Sequence, residues 1–208
     1  MLVHLRRSLV LAVICLVFFG FVYAFAGIGV SQLLFKHQAD GSLTANGSTL
    51  VGQNWAATKC PGNPLGSCVF NGRPDDTGPY AANPKDNVSG GDNPLVANGV
   101  SGESGATNLG PRSKVLLADT KALVAYWHKL GVDPTPDLVT TSGSGIDPDI
   151  SALDATVQIP MVSKATGISP ARLRTLIRQQ THPAQWGFLG SSYIDVLQLN
   201  EGLAKLER

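Results

Sequence analysis

The sequence predicts an α+β protein: a single N-terminal transmembrane helix followed by one extracytoplasmic domain with a small sheet and several helices. Three observations carry that prediction. A long apolar run stands near the N-terminus and has no counterpart later in the chain. After it, helical and strand-like patterns mix without a strict βαβ rhythm. Beyond the run, the remainder of this chain of 208 residues is long enough for one ordinary core and short for two.

Residues 8–35, SLVLAVICLVFFGFVYAFAGIGVSQLLF, contain no charged side chain. At about 1.5 Å per residue such a helix covers roughly 40 Å, enough to cross a hydrocarbon core of about 30 Å with some tilt. His4, Arg6 and Arg7 precede it, so the positive-inside rule keeps residues 1–7 in the cytoplasm and sends 36–208 outside. A cleaved secretory signal is the competing reading, because Ala24-Phe25-Ala26 resembles a cleavage site. Apolar character nevertheless continues through Ile28, Val30, Leu33, Leu34 and Phe35, past the usual h-region. Both readings put the bulk of the chain outside the cytoplasm.

All 15 acids and 14 of the 16 bases come after Phe35, leaving that part at about −1. A nucleic-acid partner calls for a basic surface, which this balance does not supply. Of three cysteines, Cys15 lies in the apolar run, where it packs against lipid or another helix. Cys60 and Cys68 flank PGNPLGS in an oxidising compartment, so a local disulfide is expected, with two free thiols as the alternative. No second Cys or His pair stands at zinc-ligand spacing.

From Lys36 to Arg112, Gly, Asn, Pro, Ser and Thr dominate and predict turns and short strands. Leu50-Val51 and Val69-Phe70 are the candidate strand fragments, and Ala81 to Gly102 reads as one long loop. Next, SKVLLADTKALVAYWHKLG places Leu116, Leu123, Trp127 and Leu130 on one helical face and ends at a Gly131 C-cap. Tyr126 and Trp127 read as core rather than as a ligand platform. Leu138 to Thr141 suits a short strand and Ser142 to Asp149 a glycine turn. Ser151 with Asp154 forms a capping box for a helix kinked by Pro160 and stopped by Gly167. Ser169-Pro170 starts another, with Leu173, Leu176 and Ile177 buried and Arg172, Arg174 and Arg178 on a solvated face. YIDVLQLN reads as a central strand, Leu197 and Leu199 on one face, Ile194 and Val196 on the other.

Catalytic motifs are sparse. A serine nucleophile needs a base, and only His37, His128 and His182 lie beyond the run. Ser144 stands between Gly143 and Gly145, but Ser142 occupies the first glycine position of an elbow motif. Gly105 and Gly110 have phosphate-loop spacing, yet Pro111 replaces the lysine and removes an N–H the cradle requires. Asp133, Asp137, Asp147, Asp149 and Asp154 succeed one another with no Lys or Arg between them. Such a patch concentrates cations; equally, these aspartates suit helix caps and turns beside Pro134, Pro136 and Pro148.

Taken in order, a set of short motifs resembles the C subunits of Kdp-type potassium-transporting ATPases. They are Gly47-Ser48, Leu50, Gly52-Gln53 and Arg73-Pro74, then Thr107-Asn108-Leu109-Gly110-Pro111. The most specific is Asp137-Leu138-Val139-Thr140-Thr141-Ser142-Gly143-Ser144-Gly145-Ile146-Asp147-Pro148, and Val196-Leu197 with Leu199-Asn200 closes the set. The resemblance covers nearly the whole chain. Departures are insertions in Ala56 to Val69 and Ala81 to Gly102, Asp149 where a histidine is expected, Pro160 where a base is common, and Asp195 where asparagine is usual.

The resemblance implies a non-catalytic accessory subunit of an ATP-driven potassium pump in the bacterial inner membrane. It implies as partners a potassium-channel-like subunit, a P-type ATPase subunit and a small membrane subunit, besides the lipid bilayer. It implies no cofactor of its own, ATP entering through the catalytic subunit, whose ATP affinity the family raises as a catalytic chaperone. Gly52, Gln53, Arg73, Asn108, Leu109, Gly110, Ser142, Gly143, Ser144, Gly145 and Asp147 become the candidate partner-contacting residues. The alternative is an anchored extracytoplasmic hydrolase using Asp147 or His182; a cytoplasm-facing nucleotide-binding regulator requires the reverse orientation.

Overall fold

The computed structural model describes residues 2–53, 55, 58, 60–62, 67–74 and 106–207. The long loop expected over Ala81 to Gly102 and the Gly105 position lie outside the described residues. The chain forms two units, Met1–Leu43 and Thr44–Arg208.

In the first unit, α1 (Leu2–Val17), a π turn (Phe18–Val22) and α2 (Tyr23–Leu34) run on as one helix of 33 residues, Leu2–Leu34. The helix begins before Ser8, because nothing in Leu2 to Arg7 breaks the pattern. It is long and apolar enough to cross a membrane, and none of its most apolar window is buried in protein. Its apolar side chains therefore need a partner outside this unit. A short α3 (Lys36–Ala39) comes after the break at Phe35.

The second unit is α+β. Among the described residues its sheet has two strands, β1 (Asp149–Ile150) and β2 (Ile194–Asp195), paired antiparallel with Asp149 opposite Asp195 and Ile150 opposite Ile194. Around it stand α4 (Lys114–Lys129), α5 (Ala152–Val157), α6 (Ile159–Thr166), α7 (Pro170–Gln180) and α8 (Val196–Leu206). α7 packs against α5, α6 and α8. Trp127, Leu138, Leu173, Ile194, Leu199 and Leu203 lie in one buried cluster, each large side chain worth about 1.5–3 kcal/mol of transfer free energy. Trp127 keeps its indole N–H satisfied by donating to the Leu138 carbonyl at 3.0 Å. α8 approaches α7 closely through Gly202, where a Cβ would stand 2.6 Å from the Leu176 side chain.

Several caps agree with the sequence reading. The Ser113 hydroxyl, which the sequence reading did not single out, accepts from the Leu116 N–H at the start of α4. Ser151 and Asp154 make the reciprocal capping box of α5. Pro160 divides the expected kinked helix into α5 and α6, and Gly167 ends α6 at φ 73°. Ser169 caps α7, whose Leu173, Leu176 and Ile177 are buried.

Four strand expectations are corrected. Residues 138–141 are not a strand: Pro136 starts a 3-10 turn, Pro136–Val139, and Thr140 beyond it is extended but unpaired in any strand. In YIDVLQLN only Ile194–Asp195 is strand. The Asp195 carboxylate accepts the Gln198 N–H at 2.8 Å, which starts α8 and turns a period of two into a helical stripe of Val196, Leu199 and Leu203. Leu50-Val51 and Val69-Phe70 are likewise outside any strand.

Phe70 is nevertheless fully buried, and its backbone is paired by side chains instead of a neighbouring strand. Asn200 accepts the Phe70 N–H at 2.9 Å and donates to the Phe70 carbonyl at 2.9 Å. Gln158 does the same for Asn71, at 2.8 and 2.9 Å. Two amide side chains, from α8 and from the α5–α6 junction, thus satisfy four backbone groups that burial would otherwise orphan.

Candidate functional site

The loop from Ser142 to Asp147 is held from within. The Ser142 hydroxyl accepts the Gly145 N–H at 3.0 Å and stands 3.1 Å from the Ser144 hydroxyl. Ser144 in turn accepts the Ile146 N–H at 3.3 Å, and Gly145 takes φ 72°, a conformation that favours glycine. The Asp147 carboxylate accepts the Asp149 N–H at 3.1 Å, leading the chain into β1.

Two of the motif groups distant in sequence meet this loop. Gly52 donates its N–H to the Ile146 carbonyl at 2.7 Å. A Cβ at Gly52 would lie 2.6 Å from the Asp147 carbonyl oxygen, so only glycine fits there without displacing backbone. Gln53 points away, donating to the Asn46 carbonyl at 3.3 Å and packing on Gly47. Arg73 clamps the other end: it donates to the Thr141 carbonyl at 3.0 Å and to the Thr140 carbonyl at 3.4 Å, and pairs with Asp137 at 3.7 Å. Gly52, Arg73, Ser142, Ser144, Gly145 and Asp147 therefore belong to one substructure, with Gly143 exposed at its tip.

Asn108, Leu109 and Gly110 make their described hydrogen bonds locally. Asn108, at φ 52°, donates to the Ala106 carbonyl at 2.9 Å, Leu109 donates to the Thr107 hydroxyl at 3.5 Å, and the Gly110 carbonyl accepts the Ser113 N–H at 2.9 Å ahead of α4. Cys60 and Cys68 form a disulfide with Cα atoms 5.5 Å apart.

Beside the loop runs an acidic cleft. Arg73, Asp137, Asp147, Asp149, Asp154 and Tyr193 line a hollow of about 200 Å³. Asp149, Tyr193, His182, Asp195 and Thr49 line a neighbouring one of about 440 Å³. Asp149 and Asp195 face each other across the sheet in register. The Val196 N–H bonds the Pro148 carbonyl one step along, which makes Asp149–Asp195 the non-hydrogen-bonded pair, where side chains stand closest. Burial, then the charges of Asp147 and Asp195, push the Asp149 carboxyl up to about 6, against the pull of His182. Burial also raises Asp195, against the opposing Gln198 and Leu197 N–H groups.

His182 is committed to structure. Its ring stacks on Tyr193 at 5.1 Å, its backbone pairs with Tyr193, and Nε2 lies 3.4 Å from the Gln198 amide oxygen. Of the remaining acids, Asp154 serves the capping box and Asp133 pairs with His128 in solvent. Among the described residues no group of three or more His, Cys, Asp or Glu is placed to hold a metal ion. Sequence reasoning missed Gln158, Asn200 and Asp195 as positioning residues. Only Asp195 had a local signal, an N-cap type ahead of Val196, Leu199 and Leu203.

Among the described residues, one candidate membrane helix followed by an α+β unit carrying a glycine-serine loop beside an acidic cleft defines a membrane-associated protein. The family described as "KdpC: K+-transporting ATPase, c chain" matches residues 5–205. The chain is 36% identical to potassium-transporting ATPase KdpC subunit 1 of Nostoc sp., across 98% of this chain and 94% of that one. It is 37% identical to the KdpC subunits of Methylobacterium nodulans, over 99% and 98% of the two chains, and of Methylorubrum extorquens, over the full length of both. The chain belongs to the KdpC family: it is a subunit of a potassium-transporting ATPase.

Proposed function

We propose that this chain is a non-catalytic accessory subunit that joins a channel-like subunit to an ATP-hydrolysing one and raises the latter's affinity for ATP. Residues 1–7 face the cytoplasm, the apolar part of the Leu2–Leu34 helix from Ser8 onward packs beside membrane helices of the channel-like subunit, and residues 36–208 cover that subunit's outer entrance. The observation that carries this reading is the loop 142–147. It is pinned by Gly52 and Arg73 rather than left to open around a substrate, which suits a preformed docking element.

The orientation rests on His4, Arg6 and Arg7 ahead of the apolar helix. It puts the loop and ATP on opposite sides of the membrane, so the effect on ATP affinity travels through the partner subunits without ATP touching this chain. ATP, in this reading, is a ligand of the complex alone.

The test is affinity purification of the full-length chain from its native membrane with mass spectrometry of the proteins that accompany it. Recovery of a P-type ATPase and a channel-like subunit supports the assembly role. Recovery of the chain alone, in detergent mild enough for other membrane complexes, overturns it, as does hydrolytic activity of the isolated chain that depends on Asp147 or His182. A reporter fused after Arg208 reads the orientation, and the ATP dependence of the complex with and without this chain reads the chaperone effect.

A further inference from the structure

Between α7 and β2 the chain makes a narrow arm. His182 and Tyr193 exchange backbone hydrogen bonds at 2.8 and 3.0 Å, and Gln185 and Leu189 exchange a second pair, both at 2.9 Å. The tip is a reverse turn in which Trp186 and Gly187 both have positive φ, 54° and 83°. That is the geometry of the I′ turn, whose first central position normally holds Asn, Asp or Gly. An aromatic residue there is strained. Trp186 is 79% exposed, Phe188 75% and Leu189 44%, and no Asp, Glu, Lys or Arg occurs from Gln179 to Ile194.

An uncharged tip with Trp, Phe and Leu in water and Tyr at its base has the chemistry of an interfacial aromatic belt, whose rings sit at headgroup depth. Two other features favour a lipid surface over an apolar pocket on a protein. Only residues 35–43 separate the apolar helix from the second unit, and even fully extended they reach about 30 Å, so the chain enters that unit at Thr44 within the same reach of the end of the helix. The helix leading into the arm, α7, carries Arg172, Arg174 and Arg178 exposed, which complement anionic headgroups. We infer that the 182–193 arm docks on the membrane surface, inserting Trp186 and Phe188 at headgroup depth beside the arginines of α7. This rests on reading Leu2–Leu34 as a membrane span.

The experiment uses the full chain reconstituted into vesicles of brominated phosphatidylcholine with phosphatidylglycerol, and reads tryptophan emission against a Trp186→Asn variant. Asn suits the turn, so that variant folds. Flotation of the vesicles first tests the span. Bromolipid should quench most of the emission difference between the two proteins, that difference should resist aqueous acrylamide, and Arg172→Gln/Arg174→Gln/Arg178→Gln should lower the quenching in anionic vesicles but not in purely zwitterionic ones. A chain that floats, with a Trp186 component open to acrylamide and blind to bromolipid, overturns the arm proposal alone. Shielding that appears only when the other pump subunits are added overturns it in favour of a protein partner. Failure to float overturns the span and the arm together.

Discussion

Replacing Asn200 by leucine should test how the second unit holds its buried irregular segment. The substitution removes the acceptor for the Phe70 N–H and the donor for the Phe70 carbonyl, both at 2.9 Å, around a residue with no solvent exposure. Leaving a buried polar group unpaired costs about 1–3 kcal/mol. Two such groups, less the small gain from an apolar side chain with better helix propensity, give a net loss of about 1.5–5.5 kcal/mol. The measurement is denaturant unfolding of the full-length protein in detergent, followed by the emission of buried Trp127. Gln158→Leu should behave alike, and the double variant should fall short of additivity by about 0.5–3 kcal/mol, because the first loss already frees the shared segment. A loss below about 0.5 kcal/mol for Asn200→Leu, a value typical of surface changes, or strict additivity of the pair, would refute the reasoning.

Gly52→Ala should disturb the 142–147 loop, since the new Cβ meets backbone of Asp147 at 2.6 Å; protection of the Gly52 amide, bonded to the Ile146 carbonyl at 2.7 Å, should fall in hydrogen exchange. Asp149→Asn should stabilise the protein at neutral pH and leave it unchanged near pH 4. The folded state holds the Asp149 proton up to about 6, so the stability it contributes is present below the ordinary carboxylate range and is lost as pH rises through that value. The gain is about 1 kcal/mol after allowance for solvent screening, read as a shift in unfolding midpoint between pH 4 and pH 8. Cys60→Ser with Cys68→Ser opens a short loop of sequence separation 8 and should cost about 2.5 kcal/mol by loop-closure entropy, matched by adding reductant to the unaltered protein.

Legibility in this sequence is local. Ser151 and Asp154 are three residues apart and announce their cap; Gly167 and Ser169-Pro170 do the same within a turn. The arginine face of α7 comes from its 3.6-residue period. The amide pairing of Phe70 and Asn71 was not legible, because its partners lie 130 and 87 residues away and no short pattern encodes them. YIDVLQLN misled for a different reason: β-branched residues suggested a strand, while Asp195 takes the backbone to the first turn of α8. At the candidate loop, the run 137–148 marked the residues, but only three dimensions reveal that Gly52 and Arg73 brace it while 108–110 bonds within its own turn.

The π turn at Phe18–Val22 acts as a phase shifter in the apolar helix. It takes up one residue more than an α-helical ladder would, so positions seven apart that straddle it, such as Val17 and Ala24, are offset by about 100° instead of stacking on one stripe. A neighbour that grips the first half of the helix by a heptad pattern would lose its grip in the second half, and a different neighbour, or lipid, would take over. A cysteine crosslinking scan along the helix should accordingly report two periodic series out of step, and deleting Gly20 should bring them into register.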